Sequence, residues 1–227
     1  MCKGIDRLNF RHKKQSFLLF FLEMNSVLRT STVILAAGAS KRLGFNKLCV
    51  RVDGEAVIRK TARFFVEAGA GEIVVVTGFE RERVERELAG LPVAFVHNAR
   101  HEDGMSASIR AALPIVARSD LVLFHLGDKP FLEPGIVQRL LEKHGEGAYS
   151  IIVSAHEGVR GHPVLVDMRK HLPAVSAVNG EGGLRDVVEG SGTAVAFLEA
   201  GEGVVLDLDT AADMNSLKRR GYTIEKG

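Results

Sequence analysis

The chain reads as an α/β protein, a three-layer α/β/α fold around a mostly parallel sheet, and three observations predict it. From Thr32 onward, short continuous apolar runs alternate with amphipathic segments, the pattern of parallel strands covered on both faces. With 227 residues, 46% hydrophobic and 26% charged, the chain has an ordinary globular composition and can bury roughly 70% of its unfolded surface. Glycine is abundant, at 24 residues without a Gly-X-Y period, which excludes a collagen-like chain and points to glycine loops.

The first 29 residues stand apart. Six Lys/Arg (Lys3, Arg7, Arg11, Lys13, Lys14, Arg29) accompany the apolar run Phe17 to Leu22. This imitates a signal peptide, but the run is shorter than the usual ~7–15 residues, Glu23 ends it and no small-x-small cleavage site follows. Residues 1–29 are therefore expected to be a poorly ordered extension, with Met24 as an alternative start.

The elements then follow in order. Val33 to Ala36 is a strand ending in a glycine-rich loop, and Ala56 to Ala68 has helical spacing closed by Gly69. Ile73 to Val76 is a buried strand, and Glu80 to Leu88 is a charge-laced helix with i,i+4 pairs. Val93 to Val96 is a strand, Met105 to Val116 a helix, Leu121 to Phe124 a strand and Pro134 to His144 a helix. After Tyr149 the spacing tightens, with strands expected near 150–154, 163–166, 194–198 and 203–208. These are not simple βα repeats. No repeat and no Pro/Ser-rich linker divides the chain, so 30–227 is expected to be a single domain.

Composition also narrows partners. The net charge of +2, from 30 Lys/Arg against 28 Asp/Glu, argues against nucleic acid. No run of 18 apolar residues occurs, so no membrane partner is expected. Cys2 and Cys49 have neither disulfide-framework nor zinc-ribbon spacing, and a cytoplasmic location is expected.

In an open α/β sheet ligands bind beyond the carboxyl ends of the strands. The first such end is Leu35-Ala-Ala-Gly-Ala-Ser-Lys-Arg-Leu-Gly-Phe-Asn-Lys47. Gly38 and Gly44 let backbone approach an anion and offer N–H donors, Arg42 and Lys47 add positive charge, and Ala36, Ala37, Ala39 and Ser40 leave room. The spacing is neither a P-loop nor a dinucleotide fingerprint. The bland alternative is a solvated turn.

Carboxylates occupy two other expected strand ends. Asp128 follows Leu121 to Gly127, and Asp207 and Asp209 follow Val204-Val-Leu206 at i and i+2, on one face if that segment is a strand. Carboxylates are hard ligands suited to Mg²⁺; at each position the alternative is a turn residue or helix cap. Bare carboxylates beside a phosphate chain would repel by up to ~4 kcal/mol per pair at 4 Å and a dielectric near 20. A divalent cation reverses that sign, so the pattern implies Mg²⁺ and nucleotide together, or neither. His97, His101 and His125 share no metal spacing and read as structural or solvent-facing.

Together these residues resemble the molybdenum cofactor cytidylyltransferase family, within the nucleotidyltransferases that activate phosphorylated substrates. The resemblance runs over 32–215: the Leu35–Lys47 loop, Val76-Thr-Gly78, His97-Asn98, Gly104-Met-Ser-Ala-Ser108, Gly127-Asp-x-Pro130, Gly161-His-Pro-Val164 and Leu206-Asp-Leu-Asp-Thr210. It implies a nucleotide-diphospho-sugar transferase-like fold and Mg²⁺-dependent transfer of CMP from CTP to molybdopterin-bound molybdenum, with release of pyrophosphate. A molybdenum hydroxylase apoenzyme is an implied partner. Arg42, Lys47 and Asp128 would be catalytic. Leu35, Ala36, Ala37, Gly38, Lys47, Thr77 and Ser108 would bind nucleotide. Asp128 and Asp209 would hold metal with Asp207 in support, and His162 and Arg185 would face the acceptor. Ala37 stands where guanylyltransferases usually carry Gly, which tips the base toward CTP. Use of GTP, a sugar-phosphate acceptor, or a non-catalytic role in handling the cofactor are the alternatives. Two departures stand out: Lys129, where the family often has Gln or Met, and Thr210-Ala-Ala-Asp213, which lacks the usual Pro.

Overall fold

The computed structural model describes residues 28–40 and 42–226. The expected N-terminal extension lies outside the described residues except for Leu28, which packs on the core, and Arg29, whose carbonyl accepts from the backbone of Asp120 and Leu121.

A seven-stranded sheet forms the middle layer. Its strands are β1 (Thr30–Ala36), β4 (Glu72–Thr77), β5 (Val93–His97), β6 (Leu121–Leu126), β7 (Ile151–His156), β8 (Val159–Asp167) and β9 (Val195–Glu199), in the order β5-β4-β1-β6-β8-β7-β9. All run the same way except β8, which is antiparallel to both neighbours. The apolar runs are continuous because both faces are covered. Ile34, Ile73, Val75, Leu121 and Leu123 enter one core, while Val33, Val74, Val76, Val122 and Phe124 enter the other. Helices α1 (Val57–Glu67) and α4 (Ile136–Gly145) cover the first face, and α3 (Met105–Val116) and α5 (Met168–Ser176) the second. The charge-laced helix α2 (Arg81–Glu87) carries the Arg81–Glu85 pair and buries Val84.

The expected elements up to α4 occur with shifts of a few residues at their ends. A small antiparallel sheet was not foreseen: β2 (Arg51–Val52) pairs with β3 (Glu55–Ala56) and with β10 (Ile224–Glu225). It closes a satellite core with Val50, Val57, Leu208 and Leu217. The strand expected over 203–208 does not form. Residues 202–204 make a 3-10 turn, and the Val205 and Leu206 N–H groups bond back to the Glu202 carbonyl instead of to a ladder. Asp207 and Asp209 thus owe their placement to an irregular segment, not to strand alternation.

The chain runs β1 to β4 to β5 on one side of β1, then crosses to β6 on the other. Their carboxyl ends form the topological switch point where open α/β sheets bind ligands.

Candidate active site

A cavity of about 490 Å³ opens at that switch point. One wall is formed by residues 35–40 and Arg42 with Lys47, a second by the residues leading into α3, and the floor carries Asp128, Asp207 and Asp209. The loop is shaped locally. Ser40 takes a left-handed conformation (φ 49°), its carbonyl accepts from Leu43 N–H, and its hydroxyl accepts from Lys47 N–H at 3.1 Å. The Asn46 side chain then caps the Lys47–Cys49 turn by accepting from Leu48 N–H. A Cβ at Gly38 would meet nothing within 4 Å, so this backbone faces open cavity. Gly44 serves differently: its φ of +72° is a turn requirement, and it is not in the cavity wall.

Asp128 is held by the rigid end of β6. Gly127 N–H donates to the Leu35 carbonyl at 2.9 Å, Thr61 Oγ1 donates to the Gly127 carbonyl at 3.1 Å, and a Cβ on Gly127 would come within 2.9 Å of Ile58. Asp209 is held from the opposite side. Its N–H and that of Thr210 donate to Asp213 Oδ2, at 3.1 and 2.7 Å, in a capping box that starts helix α7 (Ala211–Arg219). The Pro missing from Thr210-Ala-Ala-Asp213 is thereby offset by side-chain capping.

These carboxylates converge on one ammonium. Lys47 Nζ donates to Asp128 Oδ2 at 2.5 Å and to Asp209 Oδ1, while Arg42 Nη2 donates to Asp209 Oδ2 at 2.6 Å. Burial opposes the charged form of Lys47, but Asp128 and Asp209 outweigh it and raise its pKa. Burial likewise works against the Asp209 anion, and Lys47 and Arg42 overcome it, holding that carboxyl below its usual range. Asp207 behaves oppositely. It pairs with Lys129, whose Nζ lies 3.4 Å from Asp207 Oδ2 and 2.9 Å from the Val205 carbonyl. Burial raises Asp207, Lys129 opposes the rise, and Asp209 and Asp128 add to it.

Leu35, Ala36, Ala37, Gly38, Arg42, Lys47, Ser108, Asp128, Asp207 and Asp209 all line this one cavity. Three expected site residues do not. Thr77 is fully buried and its hydroxyl donates to Glu85 Oε1 at 3.2 Å, because strand alternation aims it at α2 with Val75. His162 bonds the Phe124 carbonyl through Nδ1 at 3.3 Å and packs edge-on to His125; burial lowers its pKa to about 4. Arg185 is exposed at the first position of the short helix α6 (Arg185–Gly190). Conversely His101, read as structural or solvent-facing, joins the wall with Glu102, Met105 and Glu181. Met105 lies inside the Gly104–Ser108 motif, and His101 and Glu102 sit on the turn directly before it. Glu181 sits on a glycine turn without periodic signal, brought in where Gly104 touches the Gly180 backbone.

Among the described residues no cluster of three or more His, Cys, Asp or Glu side chains is arranged to hold a metal. Asp128 Oδ2 and Asp209 Oδ1 meet at the Lys47 ammonium; with that ammonium turned onto a phosphate, the same two oxygens fit a hard divalent cation that takes its remaining ligands from phosphate and water. The donor chemistry therefore suits a hard divalent metal ion.

Residues 32–195 match the family described as "MobA-like NTP transferase domain". The chain is 27% identical over 192 residues to a molybdenum cofactor cytidylyltransferase of Escherichia coli, covering 84% of this chain and 96% of that one. It is 30% identical, also over 192 residues, to a nicotine blue oxidoreductase of Paenarthrobacter nicotinovorans, covering 82% and 94%. The crystal structure of Rv0371c from Mycobacterium tuberculosis superposes with a TM-score of 0.74 at 27% identity, over 85% of this chain and 99% of that one.

Proposed function

The chain belongs to the MobA-like NTP transferase family and is a nucleotidyltransferase, and on that footing we propose that it transfers CMP from CTP to the terminal phosphate of a molybdopterin cofactor. The observation that carries the reading is the meeting of Lys47 and Arg42 with Asp128 and Asp209 at the mouth of β1 and β6. The cytidylyltransferase relative and Ala37 favour CTP and the molybdenum acceptor.

The acceptor's phosphate oxygen attacks the α-phosphorus in line. A new P–O bond forms, the bond to the oxygen bridging the α- and β-phosphorus breaks, and pyrophosphate leaves. A phosphate nucleophile is already ionised near neutral pH, so the protein needs to position reactants and balance charge, not remove a proton. Backbone N–H groups around Gly38 bind the phosphate chain, Arg42 neutralises the β- and γ-phosphates, and Lys47 stabilises charge developing at the α-phosphate. Asp128 and Asp209 are the residues that would hold Mg²⁺, which when bound supplies Lewis-acid polarisation of the phosphate. His162 and Arg185 lie outside this cavity's lining.

The oxidoreductase relative makes redox chemistry the competing reading. It has no evident use for two carboxylates converging on a loop lysine. The test supplies Mg²⁺ and each of four nucleoside triphosphates, with and without molybdopterin, and follows pyrophosphate and product mass. CTP with cofactor should give pyrophosphate and a product carrying added CMP. Preference for GTP would reassign the base, binding without pyrophosphate would indicate a cofactor-handling protein, and neither binding nor pyrophosphate would remove the reading.

A further inference from the structure

Among the described residues, Lys129 is a buried cation that takes no part in the proposed transfer step. Its side chain is 7% exposed, and an ammonium so placed must be paired. Its main chain is fixed in the turn after β6: its N–H donates to the Leu126 carbonyl, and its carbonyl bonds the His125 ring at Nε2, 3.0 Å away. Its Nζ reaches a different part of the chain, the Val205 carbonyl and Asp207. Up to Val204 that segment is seated by backbone contact, since a Cβ on Gly203 would lie 1.7 Å from the Phe131 carbonyl oxygen. Beyond it, Leu208 is anchored in the satellite core and Asp209 by Lys47 and Arg42. Between these anchors, Asp207 lines the cavity with its side chain 38% exposed, and Lys129 is its ion-pair partner.

We infer that Lys129 is a positioning residue for nucleotide binding: it neutralises Asp207 and holds it aside, so that a polyphosphate meets the Asp128–Asp209 pair and not three bare carboxylates. The inference rests on the nucleotidyl-transfer reading and refines it. With Lys129 in place, the three carboxylates of the floor face three cations, Arg42, Lys47 and Lys129. Removing Lys129 leaves one uncompensated negative charge in a cavity meant for an anion, and that charge also attracts a free divalent cation.

The test measures binding apart from turnover, on the full chain. CTP binding is followed by calorimetry in the presence of Mn²⁺, and Mn²⁺ binding without nucleotide by spin-resonance titration. Lys129→Met should weaken CTP about tenfold while Mn²⁺ alone binds more tightly. Adding Asp207→Asn to that variant should return CTP affinity to near its starting value, which loss of a merely structural tether would not do. Should Lys129→Met fail to fold, Lys129→Gln keeps a donor for the Val205 carbonyl without the charge, and the same loss and recovery are expected. Unchanged CTP binding in the single variant, or no recovery in the double, overturns the inference. An unsubstituted chain that binds CTP but releases no pyrophosphate defeats the transfer reading alone, and the binding arm still decides Lys129.

Discussion

Asp128 and Asp209 face the same lysine but are placed by different means. Asp128 rides on the end of a parallel strand, in a turn pinned by Leu35, Thr61 and Ile58. Asp209 lies on a segment with no regular structure, held by a buried Leu208, a capping box and two cations. The parallel half supplies a rigid platform, and the other half supplies a carboxylate whose aim depends on a few side-chain bonds. Substitutions at the platform should therefore affect chemistry without moving the fold, and those around Asp209 should couple stability to affinity.

The largest effect is expected at the platform. Asp128→Asn should lower turnover with Mg²⁺ by about a thousandfold or more in a chain that still folds, with some fall in melting temperature because the half-buried Lys47 loses an ion-pair partner, and near-normal rates would remove Asp128 from the metal role. Lys47→Ala, at the point the two carboxylates share, should lower kcat by about a hundredfold. A change confined to KM would mean that Lys47 only grips the ground state.

On the Asp209 side the cap links stability to affinity. Asp213→Ala removes the acceptor of the Asp209 and Thr210 N–H groups and should cost about 1 kcal/mol in urea unfolding. It should also raise the KM for nucleotide several-fold as Asp209 loosens. A stability loss with unaltered KM would show that the cap and the site are independent.

How much of this was legible in the sequence follows the same division. The runs at 33–36, 73–76 and 121–124 encode buried parallel strands directly, since both faces need apolar side chains, and from them the switch point and the loop at its mouth could be read. Val204-Val-Leu206 looks the same in sequence, yet its N–H groups close a turn because Gly203 seats the segment on Phe131. Asp207 and Asp209 both line the cavity, as the Leu206–Thr210 resemblance implies, but the strand alternation expected to aim them is absent. Strands of two residues, such as Arg51–Val52 and Ile224–Glu225, are too short to show a period. Thr77 reads as a site residue because its strand ends near the cavity, whereas strand alternation aims its side chain at α2.

The smallest expected effect lies beside the platform and depends on pH. His162 has a folded pKa of about 4, lowered chiefly by burial from 6.5. A depressed histidine means that the unfolded chain binds the proton first, so this group's contribution is full above pH 6.5 and is lost as pH falls toward 4. Unfolding free energy should decline over that window, and His162→Asn should flatten the decline; an unaltered slope would assign it to other groups, the similarly lowered His125 among them.

The most direct test of the central claim is anomalous diffraction from crystals grown with Mn²⁺ and CTP. One ion is expected, bound by Asp128, Asp209 and the nucleotide phosphates, with Asp207 turned to Lys129 and Lys47 on the phosphate chain. An ion and triphosphate bound away from Asp128 and Asp209 would contradict it.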